Sequence, residues 1–325
     1  MFKIKKLYSV LLALALASNL VSADVRQTDT TEQRKNVNQF YGADIARFRV
    51  GNIDVVALSD GTTPLNIQGL LNGVSPSEIK TLLTRAFQVT PTETSINAFL
   101  LKTDNKVILV DTGAGEFFGE VGGRLPQSLA LAGFNPADIT DILITHIHTD
   151  HSGGLATGGK IMFPNATVHV HKADVDFFLD PANLKRGLLP QYHHEAKATI
   201  GLYQAMGKVK TFSEVATLFD GITAIPTPGH TPGHSFFRLD SLGEVMEFWG
   251  DIVHIESVQM PKPDVTINFD VDQDAAREQR TKQFDRGAKE RKLIAAPHLN
   301  FPGVGYLRKN NQGYDWVPAV YRNRD

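Results

Sequence analysis

No cysteine occurs among the 325 residues of this chain, and that absence removes two chemistries at once. Disulfides cannot staple the fold, so stability must come from a buried core, which a chain of this size can build. Thiolate is also struck from the donors available to a metal, leaving nitrogen and oxygen. Charge of one sign is equally scarce: 33 basic residues face 35 acidic ones, for a net charge of −2. That balance does not suit a polyanion or an anionic surface, so a small molecule is the expected partner, with no nucleic acid. Near the N-terminus the apolar run Val10 to Ala17 has eight residues, well short of the ~20 that span a bilayer. What remains is ordinary globular material, 42% hydrophobic and 21% charged.

That short apolar run has a different reading. Lys3, Lys5 and Lys6 precede it, and Val21-Ser22-Ala23 offers the small residues a signal peptidase selects. Residues 1–23 therefore read as an export signal cleaved before Asp24. This predicts a periplasmic or secreted protein with no membrane attachment afterwards. Residues 24–39 are polar and read as an N-terminal arm. No linker interrupts residues 40–325, which read as a single domain.

Within it, short β-type runs alternate with helices. Phe48 to Leu58 predicts a hairpin turning at Gly51-Asn52, and Asn97–Leu101 and Lys106–Val110 bracket a second turn at Asp104-Asn105. Ser75-Pro76-Ser77-Glu78 has the form of a capping box, opening a helix through about Arg85. A helix is predicted from Leu125 to Ala132, stopping at Gly133. A long charged one is predicted from Asp272 to Lys292, with Phe284 and Ala288 turned inward. Val107 to Gly113 and Met246 to Asp251 are both apolar runs leading to a carboxylate. They hint at two similar β-rich halves.

The chemistry is concentrated in Thr145-His146-Ile147-His148-Thr149-Asp150-His151-Ser152-Gly153-Gly154, directly after Ile142-Leu143-Ile144. A strand end feeding such a loop can present three imidazoles and a carboxylate to one point, and these are donors that divalent metals accept. His146 and His148, two apart, face the same side of an extended backbone. Asp150 and His151 then require a tight bend, which Ser152-Gly153-Gly154 can supply. Thr227-Pro228-Gly229-His230-Thr231-Pro232-Gly233-His234 doubles a turn-plus-histidine unit. Its residue types alone do not choose between His230 and His234. His169 and His171 alternate along a strand-like segment and read as structural.

The HxHxDH loop resembles the signature of the metallo-β-lactamase superfamily. The resemblance implies an α/β fold, an αββα sandwich of two mixed sheets face to face with helices outside. It implies His146, His148 and His230 on one metal ion, Asp150, His151 and His298 on a second, and Asp251 bridging both. His234 is then a supporting residue, and Asp111 braces the ligand loop. Two divalent ions per subunit are expected, zinc first, with manganese, iron or cobalt as alternatives. In this mechanism Asp150 and Asp251 serve catalysis through the ions, which lower the pKa of water from about 16 to around 7.

Further likeness lies in Val110-Asp111-Thr112-Gly113-Ala114, in His298 to Gly305 and in the doubled TPGH unit. It is to the branch holding methyl parathion hydrolase and exported lactonases. It implies a homodimer hydrolysing lactones and aryl esters, with phosphotriesters as a secondary class. Phe117, Phe118 and Phe178 are expected as an aromatic wall of the substrate pocket. His194, within His193-His194-Glu195, should make that side more polar. His254, three residues after Asp251, stands where lactonases of this superfamily carry a tyrosine, so a role in substrate binding or leaving-group protonation is expected. The competing readings are a β-lactamase or glyoxalase-type thioesterase and, in a different class, a diiron oxidoreductase. A non-catalytic metal-binding protein is the blandest alternative.

Overall fold

A computed structural model describes residues 44–320 of the chain. The export-signal and arm readings fall outside the described residues.

Two seven-stranded sheets form the centre. The first contains β1 (Ile45–Val50), β2 (Ile53–Leu65), β3 (Thr92–Lys102), β4 (Val107–Val110), β5 (Asp141–Leu143), β6 (Thr167–His171) and β7 (Val209–Phe212). The second contains β8 (Ala216–Phe219), β9 (Ile222–Pro226), β10 (Ser235–Ser241), β11 (Glu244–Phe248), β12 (Leu293–Ala295), β13 (Val304–Asn310) and β14 (Gly313–Pro318). In each sheet the spatial order is the order along the chain. Three antiparallel pairs open each sheet and a parallel pair follows, β4 with β5 and β11 with β12. The two apolar runs that hinted at a repeat are the fourth strands of their sheets, each leading to its carboxylate, Asp111 or Asp251.

Period-two alternation decides which face each side chain covers. Phe99, Leu101, Ile108 and Val110 point between the sheets and meet Phe237, Met246 and Phe248 of the second sheet. Their neighbours Leu100 and Leu109 point outward into a cluster covered by α2 (Leu125–Leu131), α4 (Lys172–Leu179), α5 (Pro190–Ala198) and α6 (Ile200–Ala205). Phe236 and Ile294 point to the other outer face, where Trp249 and Phe284 cover them. Each fully buried large apolar side chain stabilises the fold by roughly 1.5–3 kcal/mol. The result is the predicted helix–sheet–sheet–helix layering.

Local signals place the elements. Gly51-Asn52 is the β1–β2 turn, and β3 and β4 form the second hairpin, with β3 starting earlier than expected. In α1 (Pro76–Arg85) the Ser75 hydroxyl accepts the Glu78 N–H at 3.2 Å. The last helix, α8 (Gln273–Glu290), is capped by Asp272 accepting the Ala275 N–H, and Phe284 is fully buried. Its inward face also carries Arg280, only 1% exposed, which the charged pattern had left on the surface.

Glu247 of β11 is buried under α8. Arg286 donates to it, Trp249 Nε1–H donates at 3.0 Å, and Lys292 Nζ lies at 3.2 Å. Burial opposes its charge, but the Arg286 and Trp249 hydrogen bonds overcome that and hold the carboxyl below its ordinary value. A carboxylate with a lowered folded-state pKa contributes stability that is complete above the ordinary range and disappears as pH falls through the folded value. Glu247→Ala should therefore cost about 3–5 kcal/mol at pH 7. In denaturant titrations across pH, the gap to the native chain should narrow below about pH 4.3.

Candidate metal centre

The C-terminal ends of β4, β5, β9, β11 and β12 deliver Asp111, the His146–His151 loop, His230, Asp251 and His298 to one rim. Strand β5 ends at Leu143, and His148 still has an extended backbone where it caps α3 (Thr149–Ser152). The tight bend therefore begins earlier than Ser152-Gly153-Gly154. It is the single helical turn of α3, which carries Asp150 and His151 on its own residues.

His146 Nε2, His148 Nδ1 and His230 Nε2 converge, with separations of 3.1 Å and 2.9 Å along that series. Three nitrogens bound tetrahedrally to one zinc ion would lie ~3.3 Å apart. Asp251 Oδ2 closes this group at 3.5 Å from His146 Nε2 and 3.2 Å from His230 Nε2. The other oxygen, Asp251 Oδ1, lies 3.1 Å from both His151 Nε2 and His298 Nε2. Asp150 Oδ2 joins that second group at 3.7 and 3.4 Å from the same nitrogens. Donor atoms of His146, His148, His230 and Asp251 lie within 4.8 Å of one another, as do those of Asp150, His151 and His298, and those of Asp251, His254 and His298. Asp251, 2% exposed, thus turns one oxygen to each group.

These donors fit cations. His151 Nε2, His298 Nε2 and Asp251 Oδ1 are buried with no hydrogen-bond partner. Each such orphan costs about 1–3 kcal/mol unless something is bound. Burial and the neighbouring imidazoles hold His146 and His148 well below the ordinary histidine value, so both keep lone pairs. Asp251 resists burial because His151, His298 and His254 surround it, and it stays well below the usual carboxylate range.

A second set of side chains fixes the ring orientations, as metal-binding histidines require. His151 Nδ1–H donates to Asp111 Oδ2 at 2.9 Å, and the same carboxylate accepts Thr145 N–H and Oγ1–H. His298 Nδ1–H donates to Ser95 O at 2.9 Å. His230 Nδ1–H donates to Asp270 Oδ1 at 2.8 Å. Burial opposes its charge, yet Asp251 and Asp270 push His230 up to about 9.

The same contacts separate the two TPGH histidines. His234 spends Nδ1–H on Thr227 and accepts the Asp251 N–H on Nε2 at 2.9 Å, leaving no nitrogen for a metal. Burial holds it down to about 3. Gly250, just before Asp251, has φ +55°, and a Cβ there would sit 2.6 Å from His234 Nε2. Only glycine admits this approach.

Three residues at the site, Asp270, Asp174 and Tyr192, had no reading in the sequence, and Glu195 was read only as part of a polar stretch. Asp270 sits in no local pattern. Asp174 looks like an ordinary acid in the first turn of α4. It is fully buried, accepting Ile147 N–H at 2.9 Å, Thr231 Oγ1–H at 2.9 Å and Gly233 N–H at 2.6 Å, and so joins the two histidine loops. Burial pushes its carboxyl up to about 6. Glu195 is buried and accepts from Thr149 and Gln191. Tyr192 lays its ring 5.1 Å from that of His148.

Two expected pocket residues are corrected. Phe178 is fully buried in the core, with its ring 5.5 Å from His148, so it props that imidazole and presents no face to a substrate. His194 is exposed on the outward side of α5, because the helical repeat turns Tyr192 and Glu195 inward instead. Phe117 and Phe118 are half-buried on the Gly115–Val121 turn, which follows β4. His254 is 4% exposed, with Nε2 3.0 Å from Asp251 Oδ2 and its ring stacked 5.1 Å from His298. His169 donates to Asp141 and His171 caps α4, both away from the cluster.

Asp270→Asn should weaken zinc affinity about 10–100-fold, read by competition with a chromophoric chelator, while the far-ultraviolet circular dichroism is unchanged. Unaltered affinity would remove His230 from the donor set.

Residues 91–291 match the family model of the metallo-beta-lactamase superfamily. Among solved structures, a hydrolase of the beta lactamase superfamily, AbOPH, superposes with a TM-score of 0.82 at 34% identity, covering 87% of this chain and 99% of its own. AidC, a dizinc quorum-quenching lactonase in complex with its homoserine product, has a TM-score of 0.78 at 30% identity, covering 86% and 98%. The N-acyl homoserine lactonase of Bacillus thuringiensis is 28% identical over 170 residues, 46% of this chain and 60% of its own length. The chain spans little more than half the length of the curated relatives it matches. The layering, the convergent imidazoles and these matches agree: the chain belongs to the metallo-β-lactamase superfamily.

Proposed function

We propose that this chain is a metal-dependent hydrolase that opens lactones and cleaves esters. The observation carrying this reading is Asp251, whose two oxygens each face a separate group of buried donors. His146, His148, His230 and Asp251 would hold one ion, and Asp150, His151, His298 and Asp251 the other. Zinc is the expected metal. Bound divalent ions supply Lewis acidity, bringing the pKa of water near 7 and polarising the carbonyl under attack.

The remaining work falls to side chains of this protein. Burial drives the Tyr192 phenol above its ordinary range, so its hydroxyl stays protonated beside His148 and can donate to a substrate oxygen. His254 leaves Nδ1 without a hydrogen-bond partner, holds Nε2 3.0 Å from Asp251 Oδ2 and lines the cleft next to His298. It can hydrogen-bond the carbonyl or hand a proton to the alkoxide released when the ring C–O bond breaks. The lactonase relatives support lactones as the leading class. Aryl esters follow, and phosphotriesters are the weakest expectation, because the aromatic wall expected for them is partly core. Export with loss of residues 1–23 and assembly as a homodimer complete the proposal.

Two experiments check it. On zinc-loaded protein, N-hexanoyl homoserine lactone and dihydrocoumarin should be opened faster than phenyl acetate is cleaved, and methyl parathion should be slowest. No ring opening at full metal content would sink the reading. His254→Ala should lower kcat by roughly 10²-fold with metal content preserved. Intact turnover and intact affinity would leave His254 a packing residue.

A further inference from the structure

Only His230 of the doubled TPGH unit is a donor, yet both glycines of that unit are closely packed. A Cβ on Gly229 would lie 2.6 Å from Ala276 N near the start of α8, and one on Gly233 would lie 2.7 Å from Asp174 N in the first turn of α4. Such close backbone approach admits glycine alone. The His230 loop is therefore wedged between two helix starts, and on the α4 side the contact is made with a carboxylate.

Asp174 is 0% exposed, and both its oxygens are engaged, as burial demands. Its Oδ2 accepts Ile147 N–H and Thr231 Oγ1–H, each at 2.9 Å, and its Oδ1 accepts Gly233 N–H at 2.6 Å. Ile147 lies between His146 and His148, and Thr231 follows His230 directly. The three imidazoles of the first group, His146, His148 and His230, come from these two loops, with His148 and His230 82 residues apart. One carboxylate from a third element spans that gap. Phe178 of the same helix stands edge-on to the His148 ring at 5.5 Å, a second contact with the group.

Other residues brace the rest of the socket. His151 rests on Asp111, His298 on Ser95 O and Asp251 on His234. Beyond Asp251, the His254 N–H donates to Gln259 Oε1 of α7 (Glu256–Gln259) at 2.8 Å. A backbone bond from Ser235 N–H to Thr145 O also joins the two histidine loops, yet it leaves Ile147 and Thr231, the neighbours of His148 and His230, to Asp174.

We infer, resting on the hydrolase reading with its two cations, that Asp174 is the positioning residue of the first cation group alone. It sets the spacing of His148 and His230, and so the affinity for the ion they share, while the ion on Asp150, His151 and His298 answers to other residues. Asparagine cannot replace it, because it offers one acceptor oxygen and an NH2 that only donates. In Asp174→Asn that NH2 meets either the Gly233 N–H or the Ile147 N–H, donor against donor, and the two loops move apart.

Stepwise zinc affinities of the full chain, read by competition with a chromophoric chelator, test this. In Asp174→Asn one affinity should fall about 10–100-fold, and the other should stay within about twofold. His230→Ala identifies the ion concerned. It leaves one ion bound, and adding Asp174→Asn should change that remaining affinity by less than about twofold. Thr231→Val deletes one of the three donors and keeps the carboxylate, so it should weaken the same ion by roughly 3–10-fold. It carries the test if Asp174→Asn does not fold. A role in the fold at large would lower both affinities, or lower the remaining one in the double variant, and either result overturns the inference. A native chain that binds no second ion would overturn the paired-cation reading and this inference with it. Two native affinities that both substitutions leave intact would overturn this inference alone.

Discussion

A single buried carboxylate shared between two groups of imidazoles is the constraint on which this molecule turns. Asp251 is 2% exposed, and an isolated anion there would carry a desolvation cost of several kcal/mol. It stays ionised because His151, His298, His254 and His146 crowd it. Those imidazoles are buried too, and several have no proton acceptor for their inward nitrogen. The arrangement is therefore coherent only as a socket for positive charge. Around it the chain is held on every side: Gly250 supplies the left-handed turn, and His234 accepts the Asp251 N–H. Arg280 Nε–H donates to the carbonyl of Ile252 at 2.6 Å.

The socket is also what joins the two halves. The first sheet contributes His146, His148, Asp150 and His151, and the second contributes His230, Asp251 and His298. Asp174, from the first half, ties Ile147 to Thr231 and Gly233 of the second. Phe99 of the first sheet packs on Phe248 of the second, 5.4 Å between ring centroids, in the layer between the sheets. Asp111 and Asp174 brace the loops themselves from beyond that interface. Selectivity then falls to what lies outside the socket. There the wall beside His254 is largely polar, while Phe117 and Phe118, expected at the pocket, lie half-buried on the turn after β4.

Much of this was legible in the sequence, and the reasons are physical. Hairpins at Gly51-Asn52 and Asp104-Asn105, the Ser75 cap and the Gly133 stop depend on neighbours a few residues away, so they were found to within a few residues. The donor positions were readable because HxHxDH and the doubled TPGH unit are compact. Asp270, Asp174 and Tyr192 were not, since each acts on a partner at least 27 residues distant or across a helix packing surface. Phe178 and His194 were misassigned for a related reason. Which side of α4 or α5 faces the cluster depends on how those helices sit on β6, and no local pattern encodes that. Arg280 was placed at the surface because a charged helix normally presents its charges to water, whereas here three backbone carbonyls receive the guanidinium.

The central claim is the paired-cation socket, and the number of ions it holds tests it most directly. Elemental analysis of the full chain after reconstitution with zinc and removal of free metal should give two equivalents per chain, falling by at least one in Asp251→Ala. A native chain that takes up one equivalent or none, or an Asp251→Ala chain that still retains two, would contradict the account.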